Sequence, residues 1–383
     1  MQKVKFCLAL AMLIMHTHPL LAQEKKSIWQ HPFVQRWIGS DKDSVVSNHF
    51  IVLPALGYSP ETGLEFGLAG IYNFYTHPQE KDIRTSNVTF IGTRTTKGQT
   101  SLKLESDIWT SGNTYHIQSE LRYRNFPFQF YGLGNTTLAS DQDLLTQQLF
   151  RAKAEVARKM TTNYYAGLLL RLDRYAYVDQ VADGIFTQID SLHQRGVHGM
   201  LGITQRLDTR NSNTYTTKGT FAQFRYTYLP KFLSSTSYTG HLLHMDVRHF
   251  VALHPQWTLG FQSIAAFHLR GNTPFYLLQE LGGDQMMRGY YLGRYRDQHL
   301  ITAQTELRWR LHPRLGLAGF LGTGSTFGQN LQNGRWIPSA GGGIRYFYDL
   351  EHAGSVRLEY AVGEQRAGEK RISGFYLSLK EAF

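Results

Sequence analysis

Leu300-Ile301-Thr302-Ala303-Gln304-Thr305-Glu306-Leu307-Arg308-Trp309-Arg310-Leu311 alternates in chemistry almost residue by residue. Thr302, Gln304, Glu306, Arg308 and Arg310 share one face. Ile301, Ala303, Leu307, Trp309 and Leu311 share the other. A period of two is the repeat of an extended strand, whose successive side chains point to opposite sides. One such strand suits a soluble sandwich; many in succession, with charged inner faces, suit a closed barrel around a polar lumen.

The pattern recurs on both sides of that stretch. Ser101, Lys103, Glu105 and Asp107 oppose Leu102, Leu104 and Ile108. Arg151, Lys153, Glu155 and Lys159 oppose Ala152, Ala154 and Val156. His244, Asp246 and Arg248 oppose Met245, Val247, Val251 and Leu253. We expect about sixteen strands, near 48–56, 62–76, 84–97, 98–110, 112–125, 143–160, 162–179, 194–209, 215–229, 237–254, 255–271, 297–312, 313–328, 334–350, 353–364 and 370–383. Turns after even strands are mostly tight, as at His254-Pro255 and His312-Pro313. Several of the opposite set are long: 125–142, 179–193 and 271–296. Short turns at one rim and long loops at the other are what a transmembrane barrel shows, and an even count puts both barrel ends at the short-turn, periplasmic rim.

Composition agrees. Mean hydropathy is −0.33, yet the chain has 22 Tyr, 23 Phe and 6 Trp. No apolar run of about 18 residues follows the N-terminal segment. A wall with every second residue in lipid reconciles these facts. Residues 1–22 read as a cleaved signal peptide: Lys3 and Lys5, a short apolar run Phe6–Met15, and Leu20-Leu21-Ala22 before Gln23. The expected organisation is 1–22 leader, 23–46 short periplasmic segment and 47–383 outer-membrane barrel. Cys7 falls in the leader, so the mature chain has no disulfide framework and no thiolate metal site. Without Lys3 and Lys5 the chain has 38 basic and 29 acidic residues, +9 in all. These charges alternate along strands instead of clustering, which argues against nucleic acid as a partner.

The longest expected loop reads Leu281-Gly282-Gly283-Asp284-Gln285-Met286-Met287-Arg288-Gly289-Tyr290-Tyr291-Leu292-Gly293-Arg294-Tyr295-Arg296-Asp297. It resembles the sixth extracellular loop of the BamA/TamA outer-membrane assembly superfamily, also called the bacterial surface antigen family. There an Arg-Gly-aromatic tip folds back into the barrel. Gly57–Gly63, Phe126-Pro127 with Tyr131–Asn135, Asp208-Thr209-Arg210 with Lys218-Gly219, and Gly341–Tyr346 resemble other parts of the same family, in the same order. The resemblance spans roughly residues 50–383. It implies a loop lock built from Arg288, Gly289 and Tyr290. The lock strand carries Glu306 on its inward register, so Glu306 is the expected partner of Arg288, with Asp297 and Asp246 as second choices. An Arg fork suits bidentate pairing with a carboxylate, and Gly289 permits a tight turn. One departure stands out. The family often has Phe-x-Asp-x-Gly on strand thirteen, whereas this chain has Phe320-Leu321-Gly322-Thr323-Gly324, with Gly322 where the acid is expected. Too few residues precede the first strand for the POTRA domains that assembly members carry, so a barrel-only form is expected.

Phe375, Leu377, Leu379 and Phe383 are expected to share the lipid face of the last strand. Tyr376, Ser378 and Lys380 take the lumen face, and Glu381 falls on the lipid register. A terminal aromatic on an amphipathic strand resembles the signal read by the outer-membrane assembly machinery. Other chemistry is weakly supported. His241, His244 and His249 do not share a face, which disfavours a metal site. Gly341-Gly342-Gly343 precedes a strand, not a helix, so it is no phosphate loop. No serine falls in an acid–base motif, so neither an enzyme nor a cofactor is expected. The resemblance implies handling of membrane proteins or lipid. The expected partners are outer-membrane lipid (lipopolysaccharide or phospholipid), the assembly machinery during biogenesis, and a periplasmic protein. The alternative is a passive outer-membrane channel or transporter.

Overall fold

In the computed structural model the described residues are 49–383, apart from 60–61, 81–82, 180–183, 190–194, 237, 270–272, 332–333, 351–352 and 380. The expected leader at 1–22 and the expected periplasmic segment 23–46 lie outside them. The strands run in chain order as β1 (His49–Ser59), β2 (Gly63–Phe74), β3 (Ser86–Thr95), β4 (Thr100–Trp109), β5 (Tyr115–Phe130) and β6 (Asp143–Thr161). Next come β7 (Tyr164–Asp179), β8 (Arg195–Asp208), β9 (Gly219–Leu229), β10 (Gly240–His254), β11 (Trp257–His268), β12 (Gln279–Leu281) and β13 (Tyr295–Asp297). The last five are β14 (His299–His312), β15 (Leu315–Phe327), β16 (Ile337–Asp349), β17 (Gly354–Val362) and β18 (Ser373–Leu379). Sixteen of them close an antiparallel barrel in which each strand pairs with its neighbour along the chain, and β18 returns to β1. β12 and β13 form a separate two-stranded ribbon inside the longest connection.

The alternation in the sequence becomes two solvents in the fold. On β14, Thr302, Gln304, Glu306 and Arg308 are buried inward, while Ala303 and Leu307 are exposed. On β7, Leu168, Leu170 and Leu172 are exposed outward, opposite inward Asp173 and Tyr175. A belt of outward Leu, Phe, Tyr and Val this large has no place in water and marks a lipid-contacting surface. Trp257 and Trp309 are register partners and stack with ring centroids 4.9 Å apart beside the turns at 255–256 and 313–314. Tryptophan pairs near a strand end suit a membrane–water interface. His241 and His249 take the register opposite to that of His244, so the three histidines do not converge.

Strand boundaries follow the sequence closely, with one correction of substance. The segment after Asn125 continues as strand to Phe130 instead of opening a loop there. Pro127 obscures this, because proline cannot donate to a ladder. β4 pairs with β5 only as far as Thr100↔Asn125, while β6 pairs with it from Tyr115↔Arg158 to Phe130↔Asp143. Pro127 therefore lies on a free edge, where it is tolerated. Phe126, Phe128 and Phe130 point inward and are buried with Tyr177, Phe275 and α1 (Ile185–Ile189), whose Phe186 is also buried. This aromatic cluster packs into the lumen at the end of the strands that bears the long loops.

A second correction concerns the C-terminus. Phe375 is outward and exposed, but the strand ends at Leu379 and the chain then turns into the lumen. Phe383 is buried against Phe250, with ring centroids 5.8 Å apart, and its backbone oxygen accepts from Arg308 Nη2 at 2.9 Å. Glu381 is likewise inside, 3.2 Å from Arg345 Nε. The strict two-residue register fails here because it applies only while the chain is extended. Once β18 ends, inward arginines attract Glu381 and the Phe383 backbone. The side chain of Leu379 lies outside the described residues.

The wall assignment predicts a depth-dependent cost for charge. Leu170→Arg, halfway along β7, is expected to destabilise the barrel by about 2–4 kcal/mol. Urea unfolding in lipid vesicles measures this; a loss below about 1 kcal/mol means that Leu170 does not face lipid.

Candidate functional site

The connection from β11 to β14 does not stay at the rim. It passes a short turn at Phe275–Leu277, pairs as β12 with β13 through Gln279↔Asp297 to Leu281↔Tyr295, and sends its tip into the lumen. The tip is folded on itself: Gly283 N–H donates to the Tyr290 carbonyl at 3.2 Å, and Gly293 N–H to Leu281 at 3.1 Å. Leu281, Met287, Tyr290 and Tyr295 are buried with Leu300 and Ile337 of the wall.

Arg288 is the centre of the tip and has no exposed surface. Its Nη1 lies 2.8 Å from Glu306 Oε2 and 2.9 Å from Glu359 Oε1. Nη2 donates to Gln304 Oε1 at 3.4 Å, and the guanidinium lies 3.4 Å from the Phe320 ring centroid. Glu306 also binds Arg308 Nε at 2.8 Å and Arg345 Nη2 at 3.1 Å. Glu359 binds Arg345 Nη2 at 2.8 Å and Arg357 Nη1 at 2.6 Å. Asp284, lower on the same tip, accepts from Ser378 Oγ at 2.9 Å and lies 3.5 Å from Arg357 Nη2. Arg288, Arg308, Arg345 and Arg357 thus meet Glu306, Glu359, Glu381 and Asp284, a network of balanced charge. Isolated charges are costly when buried; each arginine here has a carboxylate within ion-pair distance.

The residues beside Arg288 fix the tip to the wall. Gly289 has φ +105°, a conformation that L side chains rarely adopt. A Cβ there would also stand 2.9 Å from the backbone carbon of Val362. Its N–H donates to Tyr376 Oη on β18 at 2.8 Å. Tyr290 Oη donates to the Pro338 carbonyl at 2.6 Å and accepts from Glu364 N–H at 2.8 Å. Ser339 Oγ donates to the Arg288 carbonyl. The tip therefore engages β14, β15, β16, β17 and β18 at once. Beyond the wall, Glu364 accepts from Arg335 Nη2 at 2.8 Å and from the Tyr295 hydroxyl. Burial raises the Glu364 carboxyl, but these donors outweigh it and hold it below the usual range. Burial, then the bond to Glu364, pushes the Tyr295 hydroxyl up to about 12.

Of the three acids expected near Arg288, one lies beside it and two do not, and Glu359 and Tyr376 were not among the expected site residues. The structure brings Glu306 within 2.8 Å of Arg288. Asp297 is not: its Oδ1 caps the backbone N–H of Gln298 at 2.8 Å, at the base of the ribbon. Asp246 binds Arg248 and Gln262 instead. The second acid is Glu359, which lies on the inward face of β17 with Ser355, Arg357 and Ala361, an alternation from which it could have been found. Tyr376 was visible as a lumen-facing residue, but its bond to Gly289 spans 87 positions and leaves no local signal. Gly322, where the family acid was expected, leaves room for Met287, whose Sδ lies 3.7 Å from the position of a Gly322 Cβ.

A sequence model described as the Omp85 superfamily domain matches residues 85–383. Among solved structures, BamA from Haemophilus ducreyi lacking POTRA domains 1-3 matches with a TM-score of 0.58 at 14% identity, over 87% of this chain and 70% of that one. CdiB from Acinetobacter baumannii matches with 0.56 at 12% identity, over 88% and 66%. CdiB from Escherichia coli matches with 0.56 at 9%, over 86% and 62%. At such identities these likenesses speak for the fold. A search of curated proteins found no match.

Arg288→Ala removes one of the two cations, with Arg345, that Glu306 and Glu359 share and is expected to cost about 3–5 kcal/mol in urea unfolding. Asp297→Asn keeps its capping oxygen and should stay within about 0.5 kcal/mol of the parent. If the two variants lose equally, the lock is not centred on Arg288.

Proposed function

This chain belongs to the Omp85 superfamily and resides in the bacterial outer membrane; from that premise we propose that it inserts or translocates membrane proteins or lipid by parting its wall between β1 and β18. The observation that carries this reading is the seam. β1 and β2 are in register from His49↔Asn73 to Ser59↔Gly63, whereas among the described residues β1 and β18 share the single pair Tyr58↔Leu377. Tyr58 and Phe375 add an edge contact at 6.1 Å on the outer side. A ladder this short contributes few backbone hydrogen bonds, and each is worth only about 0.5–1.5 kcal/mol net. The remaining strand pairs are long and close the rest of the wall firmly.

The lock gives the seam two unequal sides. β18 is tied inward through Tyr376, Ser378, Glu381 and Phe383. β1 is tied chiefly to β2. Opening then swings the β1–β2 hairpin away while β18 stays with the lock. The client is a membrane-embedded chain or lipid entering from the outward apolar belt, delivered by a periplasmic protein. The chain's own delivery depends on a leader at 1–22 and on recognition of Phe375, Leu377, Leu379 and Phe383 by the assembly machinery.

Cysteines at Tyr58 and Leu377 are register partners and within reach of a disulfide. In the native strain, oxidation of the double variant is expected to reproduce the envelope defect of a deletion, and reduction to reverse it. A cross-linked strain that behaves as wild type while the deletion is defective rules out opening at this seam. The passive-channel reading is tested separately in planar bilayers. Wild type is expected to conduct little, and removal of 282–297 to raise conductance severalfold; large steady conductance in wild type would favour the channel.

A further inference from the structure

The loop divides the lumen into two halves of different charge. The half against β14–β18 holds the lock, where four arginines meet four carboxylates. The half against β5–β11 holds a cavity of about 540 Å³. Its cationic lining is Arg122, Arg124, Arg151, Lys153, Arg171 and Arg225, with only Glu120 and Glu280 as acids. Two more carboxylates lie behind this layer. Asp173 binds Arg151 at 2.8 Å and also Arg171. Glu155 binds Arg206 at 2.8 Å, Arg225 at 2.9 Å and Lys153 at 3.6 Å. Glu120 lies 2.9 Å from Arg122 and 3.9 Å from Arg151, and Glu280 pairs with Arg296. Among the described residues, seven cations thus share four carboxylates. The eighth, Arg124, forms no ion pair among the described residues; its guanidinium lies over the Phe126 ring, 3.7 Å from the centroid.

We propose that this cavity is a binding chamber for a small, soluble, multiply charged oxyanion bearing phosphate or carboxylate groups. The first support is the charge surplus itself. Around the lock the same barrel matches four arginines with four carboxylates, whereas here it does not, and confinement between low-dielectric walls focuses the field on the cavity. The second is chemistry. A guanidinium fork donates to two phosphate or carboxylate oxygens at once, and Arg124 has its fork uncommitted to any carboxylate among the described residues. The third is size: the volume lies within the range of small-molecule sites. The fourth is access. β5, β6, β7 and β8 are joined by long unbroken ladders, as from Tyr115↔Arg158 to Phe130↔Asp143, so this side offers no lateral entry for an acyl chain. A phosphate from a lipid headgroup has the same oxyanion chemistry, but its acyl chains cannot enter through this side of the wall. The inference does not depend on opening at the β1–β18 seam.

The test is calorimetric titration of the purified full chain in non-ionic detergent at low ionic strength, with sodium pyrophosphate as the probe. Wild type is expected to show saturable binding of one equivalent. Arg124→Gln is expected to weaken it at least tenfold. Lys218→Gln, an exposed cation in the turn at 209–218, is expected to leave it unchanged. Each variant is checked for the compact, heat-modifiable gel migration of a folded barrel. Should Arg124→Gln fail that check, Arg122→Gln replaces it with the same expectation. Short-chain phosphatidate in place of pyrophosphate is expected to give no saturable heat. Absence of saturable pyrophosphate binding in wild type overturns the proposal, as does equal weakening by Lys218→Gln and the cavity variant. Binding of phosphatidate but not pyrophosphate overturns the soluble-anion assignment.

Discussion

A charged guanidinium with no exposed surface, held between two carboxylates inside a membrane protein, is the constraint around which this barrel is arranged. Arg288 could not be buried alone, since removing one partner of a buried pair costs several kcal/mol. Its position therefore dictates those of Glu306 and Glu359 on separate strands. Those two acids in turn require Arg308, Arg345 and Arg357. The network joins a loop to four pieces of chain: β14, β16, β17 and the end that follows β18. A barrel of sixteen strands with an empty lumen would have no such internal brace, and hydrogen-bonded ladders alone would set its shape.

The brace also explains how the chain end is disposed. Extended backbone would carry Glu381 and Phe383 along the wall, with Glu381 toward lipid. Instead the strand stops at Leu379 and both residues enter the lumen, where Arg345 and Arg308 receive them. Charge placed against hydrocarbon is costly in proportion to depth, so the inward turn removes a liability and adds an acid that the four arginines need. Electrostatics, acting over the last few residues, overrides the strand's periodicity.

Much of this was legible in the sequence because a barrel wall imposes one rule on every strand. The alternation in Leu300–Leu311 placed Glu306 and Arg308 inward, and the rule extends to Arg151, Glu155 and Asp246 without change. Applied to β17, the rule also puts Glu359 inward, yet nothing in it says which inward acid faces which inward cation across the lumen. That information belongs to the shear and closure of the barrel, and no stretch of sequence carries it. Asp297 illustrates the same gap. It is an acid near Arg288 in sequence, but the ribbon of β12 and β13 turns it toward its own backbone. Pro127 shows a different one: its effect depends on how far β4 extends beside it, a property of the neighbour.

The unequal halves of the lumen follow from the same economy of charge. Where the loop supplies a cation, the wall supplies acids, and the sum is neutral. Where the loop supplies mostly apolar groups, Tyr276, Leu277 and Leu278, the wall keeps its arginines with too few acids. The loop packs against that half by burying aromatics at the mouth, not by neutralising the charge beneath. A surplus of cations behind a hydrophobic cover cannot help to hold the loop and raises the cost of folding. Its persistence in a barrel that balances charge elsewhere is best accounted for by an anion from outside the chain. The partners of Arg288 and Gly289 all lie on β14–β18, so the β5–β11 side of the lumen can accept that anion without disturbing the pairing of Arg288.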